Sequence, residues 1–285
     1  MSITEAAKPA GRSLSKSIIV GLILGAVFLL SILLIKELML VLCAAAASAG
    51  AWELSTALRI KGWRVPRLPA VIGSAAIMPA AYYFGELGQW IAAFGIVFAL
   101  VIWRTFELWL QPSMPDRTFR HALRDFAAAA FVVIYLPLTT SFVVLLLRRS
   151  EDGAGWVIAF ITTVAMIDTF GYLLGRVFGK HKMAPGVSPK KTLEGLLASV
   201  IAGSISAILF SVTLLHQEWW FGLIFAASLL VAAVFGDLAE SLIKRDLGVK
   251  DMSSWLPGHG GVMDRLDSIL PAALITYLLC ELLAR

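Results

Sequence analysis

The chain has 285 residues, of which 59% are hydrophobic and only 15% are charged. Soluble domains carry roughly 25% charged residues, so this composition excludes an ordinary soluble enzyme and indicates an integral membrane protein. The net charge of +5 would favour nucleic-acid binding in a soluble protein. Here the placement of the charges explains it better, and no nucleic-acid partner is expected.

Apolar segments long enough to cross a bilayer, about 20 residues each, recur along the whole chain. They are residues 17–35, 38–58, 69–85, 88–108, 126–147, 156–177, 195–215, 219–243 and 266–283. The first is expected to be an uncleaved helix, and the third and fourth are separated only by Glu86 and Leu87. We predict an all-α integral membrane protein with about nine transmembrane helices, in which residues 1–285 form a single polytopic domain.

The basic residues predict the orientation of these helices. Of the 24 Lys and Arg residues, all but Lys36, Arg148, Arg149 and Arg285 lie in the tail, residues 1–16, or in and next to the connections after the even-numbered helices. Lys and Arg accumulate in cytoplasmic loops. The N-terminus is therefore predicted to be cytoplasmic, and nine helices place the C-terminus outside.

Two apolar helices contain an isolated carboxyl group, Glu53 in the second and Asp168 in the sixth. A charged side chain at membrane depth usually faces the protein interior or a watery cavity. Asp168 is therefore a candidate binding residue, whereas the sequence suggests no role for Glu53. Gly171, Gly175 and Gly179 follow at four-residue spacing, which predicts a close-packing helix face.

A polar cluster precedes the seventh helix. Ser188, Lys190, Lys191 and Thr192 place hydroxyls and ammonium groups beside a predicted helix N-terminus, an arrangement that suits an anion. Ser188-Pro189 is equally typical of an ordinary helix start. The sequence leaves both interpretations open.

The densest charge lies between residues 237 and 267. On the eighth helix, four polar residues share one face through their helical spacing, namely Asp237, Glu240, Ser241 and Lys244. This face suits either a buried salt bridge or a watery site. Asp264 and Asp267 begin the ninth helix, where carboxylates also act as simple caps.

Together these carboxylates indicate a metal site. The eighth and ninth helices flank one loop, so Asp237 and Asp264 are expected to converge. Carboxylates without a histidine cluster or nearby thiol favour a hard cation such as Mg²⁺. The loop carries His259, Gly260 and Gly261, which suit either phosphate contact or a flexible turn. This composition indicates metal-assisted phosphoryl or nucleotidyl transfer to a lipid phosphate.

The same stretch combines a serine, a Lys-Arg pair, a Lys-Asp pair, a small residue, a His-Gly-Gly turn and an Asp-Arg-x-Asp run. These are Ser241, Lys244-Arg245, Lys250-Asp251, Ser253, His259-Gly260-Gly261 and Asp264-Arg265-Leu266-Asp267. The run resembles the signature of the phosphatidate cytidylyltransferase (CDP-diacylglycerol synthase) family. The likeness is strong over residues 165–270, which carry the catalytic motifs, and weak in the N-terminal half.

The resemblance implies the reaction of CTP with phosphatidate, giving CDP-diacylglycerol and pyrophosphate, with Mg²⁺ and, in some family members, K⁺. It implies metal binding by Asp237 and Asp264, with Asp267 and Glu240 close by. The implied phosphate and substrate contacts come from Ser241, Lys244, Arg245, His259, Gly260, Gly261, Arg265, Ser188, Lys190, Lys191, Thr192 and Asp168. The expected location is the cell (inner) membrane with a cytoplasmic active site, and a homodimer is an open expectation.

Two other classes of function are the alternatives. A transferase acting on CDP-lipids is expected to carry an Asp-Gly-x-x-Ala-Arg pattern, and a polyprenyl-phosphate sugar-phosphate transferase an Asp-Asp pair; the chain has neither. A transporter would use Asp168, Asp237 and Asp264 as a coupling site. Transporters often have two related halves, whereas the polar residues here crowd into the C-terminal part.

Overall fold

The computed structural model describes residues 25–110, 118–184, 188–256 and 260–283, without the side chains of residues 184 and 188–190. Most of these residues are helical. The helices are α1 Gly25–Leu34, α2 Lys36–Leu58, α3 Arg67–Leu110, α4 Phe119–Val133, α5 Thr139–Arg148, α6 Gly153–Phe178, α7 Leu193–Thr213, α8 Trp219–Leu247, α9 Met263–Leu266 and α10 Ile269–Leu283. A π-helical turn, Ile134–Leu138, joins α4 to α5. One hairpin pairs β1 Lys182–Ala184 with β2 Ser188–Thr192.

Seven helical stretches within these described ranges are long and apolar enough to cross a membrane. Large apolar side chains cover their outer faces, as at Phe94, Phe98 and Phe235, which suits contact with lipid. The prediction of an all-α membrane protein is confirmed. The count of nine helices and the sidedness of the termini stay predictions, and residues 1–24, which hold the start of the first predicted helix, lie outside the described chain.

The 44-residue helix α3 folds back on itself at Gly85, whose backbone leaves the helical region at φ 66° and ψ −150°. A Cβ atom added to Gly73 would lie 2.6 Å from the Ile96 side chain. In one straight helix these residues would be about 35 Å apart. The two arms, residues 67–84 and 86–110, therefore run side by side, and the predicted break between the third and fourth helices is confirmed.

The pair α6 and α7 makes the most extensive helix contact in the fold. A Cβ atom on Gly195 would lie 2.7 Å from the carbonyl oxygen of Gly171 and 3.1 Å from the Cα atom of Gly175. The Ser199 hydroxyl donates to the Ile167 carbonyl at 2.7 Å. The predicted close-packing glycine face of the sixth helix is confirmed.

Residues 188–192 depart from the all-α prediction because they form strand β2. Helix α7 starts only at Leu193, and Thr192 caps it by accepting a hydrogen bond from the Gly195 amide at 3.2 Å. The interpretation of Ser188-Pro189 as a helix start is therefore wrong. The extended backbone before a proline is physically expected, and the hairpin satisfies its amides.

Polar contacts between the helix connections show which connections lie at the same end of the bundle. At one end, the buried carboxylate of Asp125 accepts hydrogen bonds from the Arg64 amide at 3.0 Å and from the Arg104 guanidinium at 2.9 Å. At the opposite end, Lys36 donates to the Arg149 carbonyl at 3.2 Å. Connections predicted to share a side of the membrane thus lie together.

Candidate active site

Five carboxyl groups gather at the end of the bundle where α6, α8 and α9 meet, and two lysines lie among them. Asp267 interacts electrostatically with Asp237, Glu240 and Lys244. Asp168 interacts with Asp267, Lys191 and Asp237, and hydrogen bonds to Ser268. The carboxylates are Asp168, Asp237, Glu240, Asp264 and Asp267, and the lysines are Lys191 and Lys244. The structure therefore unites candidates that lie up to 99 positions apart in the chain.

Lys244 links α8 to α9 through two ion pairs. Its Nζ lies 2.9 Å from Oε2 of Glu240, one turn earlier on α8, and 2.8 Å from Oδ1 of Asp264. The Glu240 side chain is fully buried. A buried ion pair between Lys244 and Glu240, one of the two interpretations of this helix face, is present. It extends to a third residue, which makes it part of the site as well.

Asp264 organises the loop in front of α9. Its Oδ2 accepts hydrogen bonds from the Gly261 amide at 2.7 Å and the Met252 amide at 2.9 Å, while Oδ1 faces Lys244. Both carboxylate oxygens are therefore engaged within the chain. The predicted convergence with α8 is present, but it runs through the ammonium group of Lys244.

Lys191 brings strand β2 to the same site by forming an ion pair with Asp237. Both side chains are about 29% exposed, so solvent and ligands can reach them. This contact joins the polar stretch before α7 to the charged stretch of α8, two motifs separated by more than 40 residues. Thr192, in contrast, uses its hydroxyl to cap α7.

The backbone of α8 approaches Asp267 and the start of α10 so closely that only glycine fits at position 236. A Cβ atom there would lie 2.1 Å from the Asp267 carbonyl oxygen and 2.7 Å from the Pro271 ring. Real Cβ atoms do not come this near to a backbone oxygen. Gly236 therefore lets the neighbouring carboxylates of Asp237 and Asp267 face each other across the helix contact.

Glu53 on α2 belongs to this end of the molecule as well, although the sequence suggested no role for it. Its buried carboxylate accepts hydrogen bonds from the Val262 amide at 3.0 Å, the Met263 amide at 2.8 Å and the Ser253 hydroxyl. The only signal in the sequence was an isolated acid in an apolar helix. Its partners lie 200 positions or more away.

Tyr135 is a second residue that the sequence did not single out. It lies in the π-helical turn Ile134–Leu138 and interacts electrostatically with Glu240, Asp267 and Asp237. Its buried hydroxyl makes no hydrogen bond within the described part of the chain. Irregular turns of this kind often occur at functional sites, but a tyrosine in an apolar helix resembles an interfacial anchor in sequence.

The residues predicted to contact phosphates differ in their exposure and in their bonds within the chain. Arg245 and Arg265 are exposed, and Ser241 is half-buried. The amide of Gly260 donates to the Leu256 carbonyl and that of Gly261 to Asp264, so both are engaged within the loop. Phosphate contacts by these residues stay predictions. His259 and the side chains of Ser188 and Lys190 lie outside the described chain.

The donor set fits a hard cation in charge and chemistry. Five carboxyl groups around two ammonium groups leave an excess of negative charge in a largely enclosed place, which a cation or bound protons must compensate. No three of the described carboxylate, histidine or thiol groups converge as a ready-made metal site. Mg²⁺ is often held by one or two carboxylates together with substrate phosphates and water, and this donor set suits that mode.

Comparisons with known proteins point the same way as the geometry. A sequence model described as the Cytidylyltransferase family matches residues 15–283. A phosphatidate cytidylyltransferase of Mycobacterium bovis is 36% identical over 280 residues, covering 96% of this chain and 90% of that protein. Proteins of the same name from Thermotoga maritima and Bacillus subtilis are 30% and 28% identical, over 66% and 94% of this chain and 67% and 98% of their own lengths.

Proposed function

The chain belongs to the cytidylyltransferase family, and on that premise we propose that it transfers the cytidylyl group of CTP to phosphatidate, forming CDP-diacylglycerol and pyrophosphate. The observation that carries the proposal is the cluster of carboxylates and lysines at one end of a membrane-embedded bundle. A site at that depth can receive a nucleotide from water and a phosphate from a lipid head group. Neither substrate has to leave its own phase.

The proposed reaction is a single in-line displacement. An oxygen of the phosphatidate phosphate forms a bond to the α-phosphorus of CTP, and the bond from that phosphorus to the bridging oxygen breaks. Pyrophosphate leaves with the electron pair. Because the attacking oxygen is already anionic, the reaction needs no strong general base. The main obstacle is the repulsion between two polyanions.

The positive charges of the two lysines reduce that repulsion. Lys191 and Lys244 are held in place by Asp237, Glu240 and Asp264, so their positions are set before substrates arrive. Cations that are already oriented stabilise developing charge without reorganisation during the reaction. We assign Lys244 to the reacting phosphates and Lys191 to the more exposed substrate group, because Lys191 lies at the accessible edge.

Mg²⁺, when bound, would neutralise phosphate charge and orient both substrates. We propose that Asp237 and Asp267 hold it, with Glu240 beside them. Asp264 carries less of this role than the sequence predicted, because its oxygens already accept bonds from Lys244, Gly261 and Met252. Asp264 instead holds Lys244 and the loop in position.

A direct assay tests the proposed reaction. The purified chain in detergent is given CTP labelled at its α-phosphorus, phosphatidate and Mg²⁺, and the label is followed into lipid together with pyrophosphate release. Diacylglycerol, which lacks the phosphate, is the matched substrate control and should accept no label. Absence of labelled lipid, combined with ion or metabolite flux in liposomes, would support the transporter hypothesis instead.

We propose that the site faces the cytoplasm of the cell membrane, because the basic residues accumulate at that end. Single cysteines placed in a variant lacking Cys43 and Cys280 test this. Trp255, which is 52% exposed beside the site, and Glu151, which is exposed at the opposite end, give a matched pair. In intact cells an impermeant maleimide should label Glu151→Cys and spare Trp255→Cys; the reverse pattern would refute the orientation.

Two further expectations have their own measurements. A role for K⁺ beside Mg²⁺ predicts higher turnover in potassium than in sodium chloride at equal ionic strength. A homodimer predicts a protein mass of two chains by light scattering of the detergent complex. Equal turnover in both salts, or the mass of one chain, would contradict the respective expectation.

A further inference from the structure

Glu53 is a buried carboxylate whose hydrogen bonds to described residues reach two backbone amides and one hydroxyl at the loop between α8 and α9. It stands on α2, far from this loop in sequence, and is 2% exposed. Its oxygens accept from the Val262 amide, the Met263 amide and the Ser253 hydroxyl. Such charge-assisted hydrogen bonds are about twice as strong as neutral ones. One side chain thus holds the loop at two separate points.

The fit of this carboxylate to the loop leaves no spare room. A Cβ atom added to Gly261 would lie 2.7 Å from Oε2 of Glu53 and 2.8 Å from Oε1. The next residues, Val262 and Met263, present their amides to the same carboxylate. The absence of a side chain at position 261 is what lets Glu53 reach both amides.

The loop that Glu53 holds is also held by Asp264. The Gly261 amide donates to Asp264, whereas the next two amides donate to Glu53. Asp264 in turn pairs with Lys244. A displacement of residues 261–263 would therefore move the start of α9 and with it the ammonium group assigned to the phosphates.

A second buried carboxylate at this end serves as a contrast. Asp125 also accepts a backbone hydrogen bond, from Arg64 at 3.0 Å, but its main partner is the buried guanidinium of Arg104 at 2.8 Å. Its contacts join α3, α4 and the connection after α2. None of these partners belongs to the described part of the loop between α8 and α9.

We propose that Glu53 is a positioning residue for the transfer reaction, which holds Ser253 and residues 261–263 so that Asp264 and Lys244 keep their places at the site. This inference rests on the proposed function for its catalytic consequence. The clamp itself is a statement about the loop and can be measured without turnover. Glu53 touches no reacting group and acts through the backbone of Val262 and Met263.

The test compares Glu53→Gln with Asp125→Asn, the same exchange of a buried carboxylate for an amide at the same end. Amide hydrogen exchange is followed in peptides covering residues 252–266, and kcat, KM and the thermal midpoint are measured on the same preparations. We expect Glu53→Gln to speed exchange at residues 262 and 263 and to lower kcat about 10- to 100-fold, with little change in KM for CTP. Asp125→Asn should lower the thermal midpoint and leave kcat per folded molecule unchanged.

Ser253→Ala is the second variant, because it removes one donor to Glu53 and keeps the carboxylate. This variant is expected to fold. It should lower kcat by about two- to tenfold, in line with the loss of one hydrogen bond to a charged group. Unchanged loop exchange in both variants, or wild-type kcat despite faster exchange, would overturn the inference. If the wild type forms no CDP-diacylglycerol, the proposed function fails, and the exchange data still decide whether the clamp exists.

Discussion

The two ends of the helix bundle carry ionic clusters of opposite character. At the site end, five carboxyl groups surround Lys191 and Lys244 in a largely enclosed place. At the opposite end, the Arg149 guanidinium binds both oxygens of Asp152, at 2.8 and 3.1 Å, and also Glu281 at 3.2 Å. These three side chains are about one third to one half exposed.

The comparison of the two clusters indicates which of them is expected to bind a ligand. Around Arg149 the donors and acceptors already match, since Trp156 also donates to Asp152 at 2.8 Å, and a half-exposed cluster of this kind is typically a weak structural tie. Around Lys244 the acceptors outnumber the cations within a place that disfavours unpaired charge. We therefore propose that the second arrangement gains by binding a metal ion and phosphates.

The largest expected effect comes from removing the bridging cation. Lys244→Met should lower turnover by at least about 100-fold, because Glu240 and Asp264 lose their shared partner and the phosphates lose a donor. Arg149→Met, the same exchange of cation for thioether at the other end, should keep turnover near wild type. The labelled-lipid assay measures both, and equal losses in the two variants would contradict the contrast between the ends.

A contact between backbones should produce the next largest effect. In Gly236→Ala the new methyl group would lie 2.1 Å from the Asp267 carbonyl oxygen, so α8 must move away from Asp267 and the start of α10. We expect turnover to fall about 10- to 100-fold, with a lower thermal midpoint. Gly95→Ala is the control, since nothing lies within 4 Å of a Cβ atom there. A wild-type result for Gly236→Ala would show that the helix spacing is not critical.

The metal proposal predicts a change in Mg²⁺ requirement. Asp237→Asn should raise the Mg²⁺ concentration for half-maximal turnover by about tenfold or more, because an amide binds a hard cation less strongly than a carboxylate does. Asp152→Asn, the same exchange at the end opposite the site, should leave the Mg²⁺ titration unchanged. A parallel Mg²⁺ dependence in Asp237→Asn and the wild type would remove Asp237 from the metal site.

The smallest effect is a pH dependence of the thermal stability that the Arg149–Asp152 pair contributes at the end opposite the site. Partial burial raises the pKa of Asp152, but hydrogen bonds from Arg149 and Trp156 outweigh burial and hold the pKa below its usual value. The pair therefore adds stability above the ordinary carboxyl pKa of about 4, and this stability is lost as the pH falls through the lowered pKa. Thermal midpoints of wild type and Asp152→Asn should differ by the equivalent of about 1 kcal/mol or less at pH 7 and converge at acidic pH; a constant difference would contradict the linkage.

Much of the helical architecture follows from local patterns in the sequence. Runs of about 20 apolar residues mark spanning helices, the break near Glu86 is the turn at Gly85, and the spacing of Gly171 and Gly175 marks the packing face against α7. The strand before α7 escapes sequence-based prediction because it is short and its polar residues are equally typical of a helix start. Its pairing with residues 182–184 is a contact that no periodicity reports.

The candidate site divides in the same way. The carboxylates and lysines of α8 and α9 stand out by residue type, and the helical period alone places those of α8 on one face. No such pattern predicts three other contacts. Lys244 bridges two carboxylates, Lys191 pairs with Asp237, and Glu53 binds the loop between α8 and α9. Each joins residues from different elements, and helix packing alone brings them together.

The sequence by itself determined that this is a membrane protein with charged chemistry at one end, and resemblance of its motif supplied the family. Composition and helical periodicity are local properties, and each helix carries them independently of its neighbours. The tertiary structure alone decided which carboxylates pair with a lysine and which hold the loop. Those assignments depend on distances of about 3 Å between residues as many as 210 positions apart, which only the packed bundle sets.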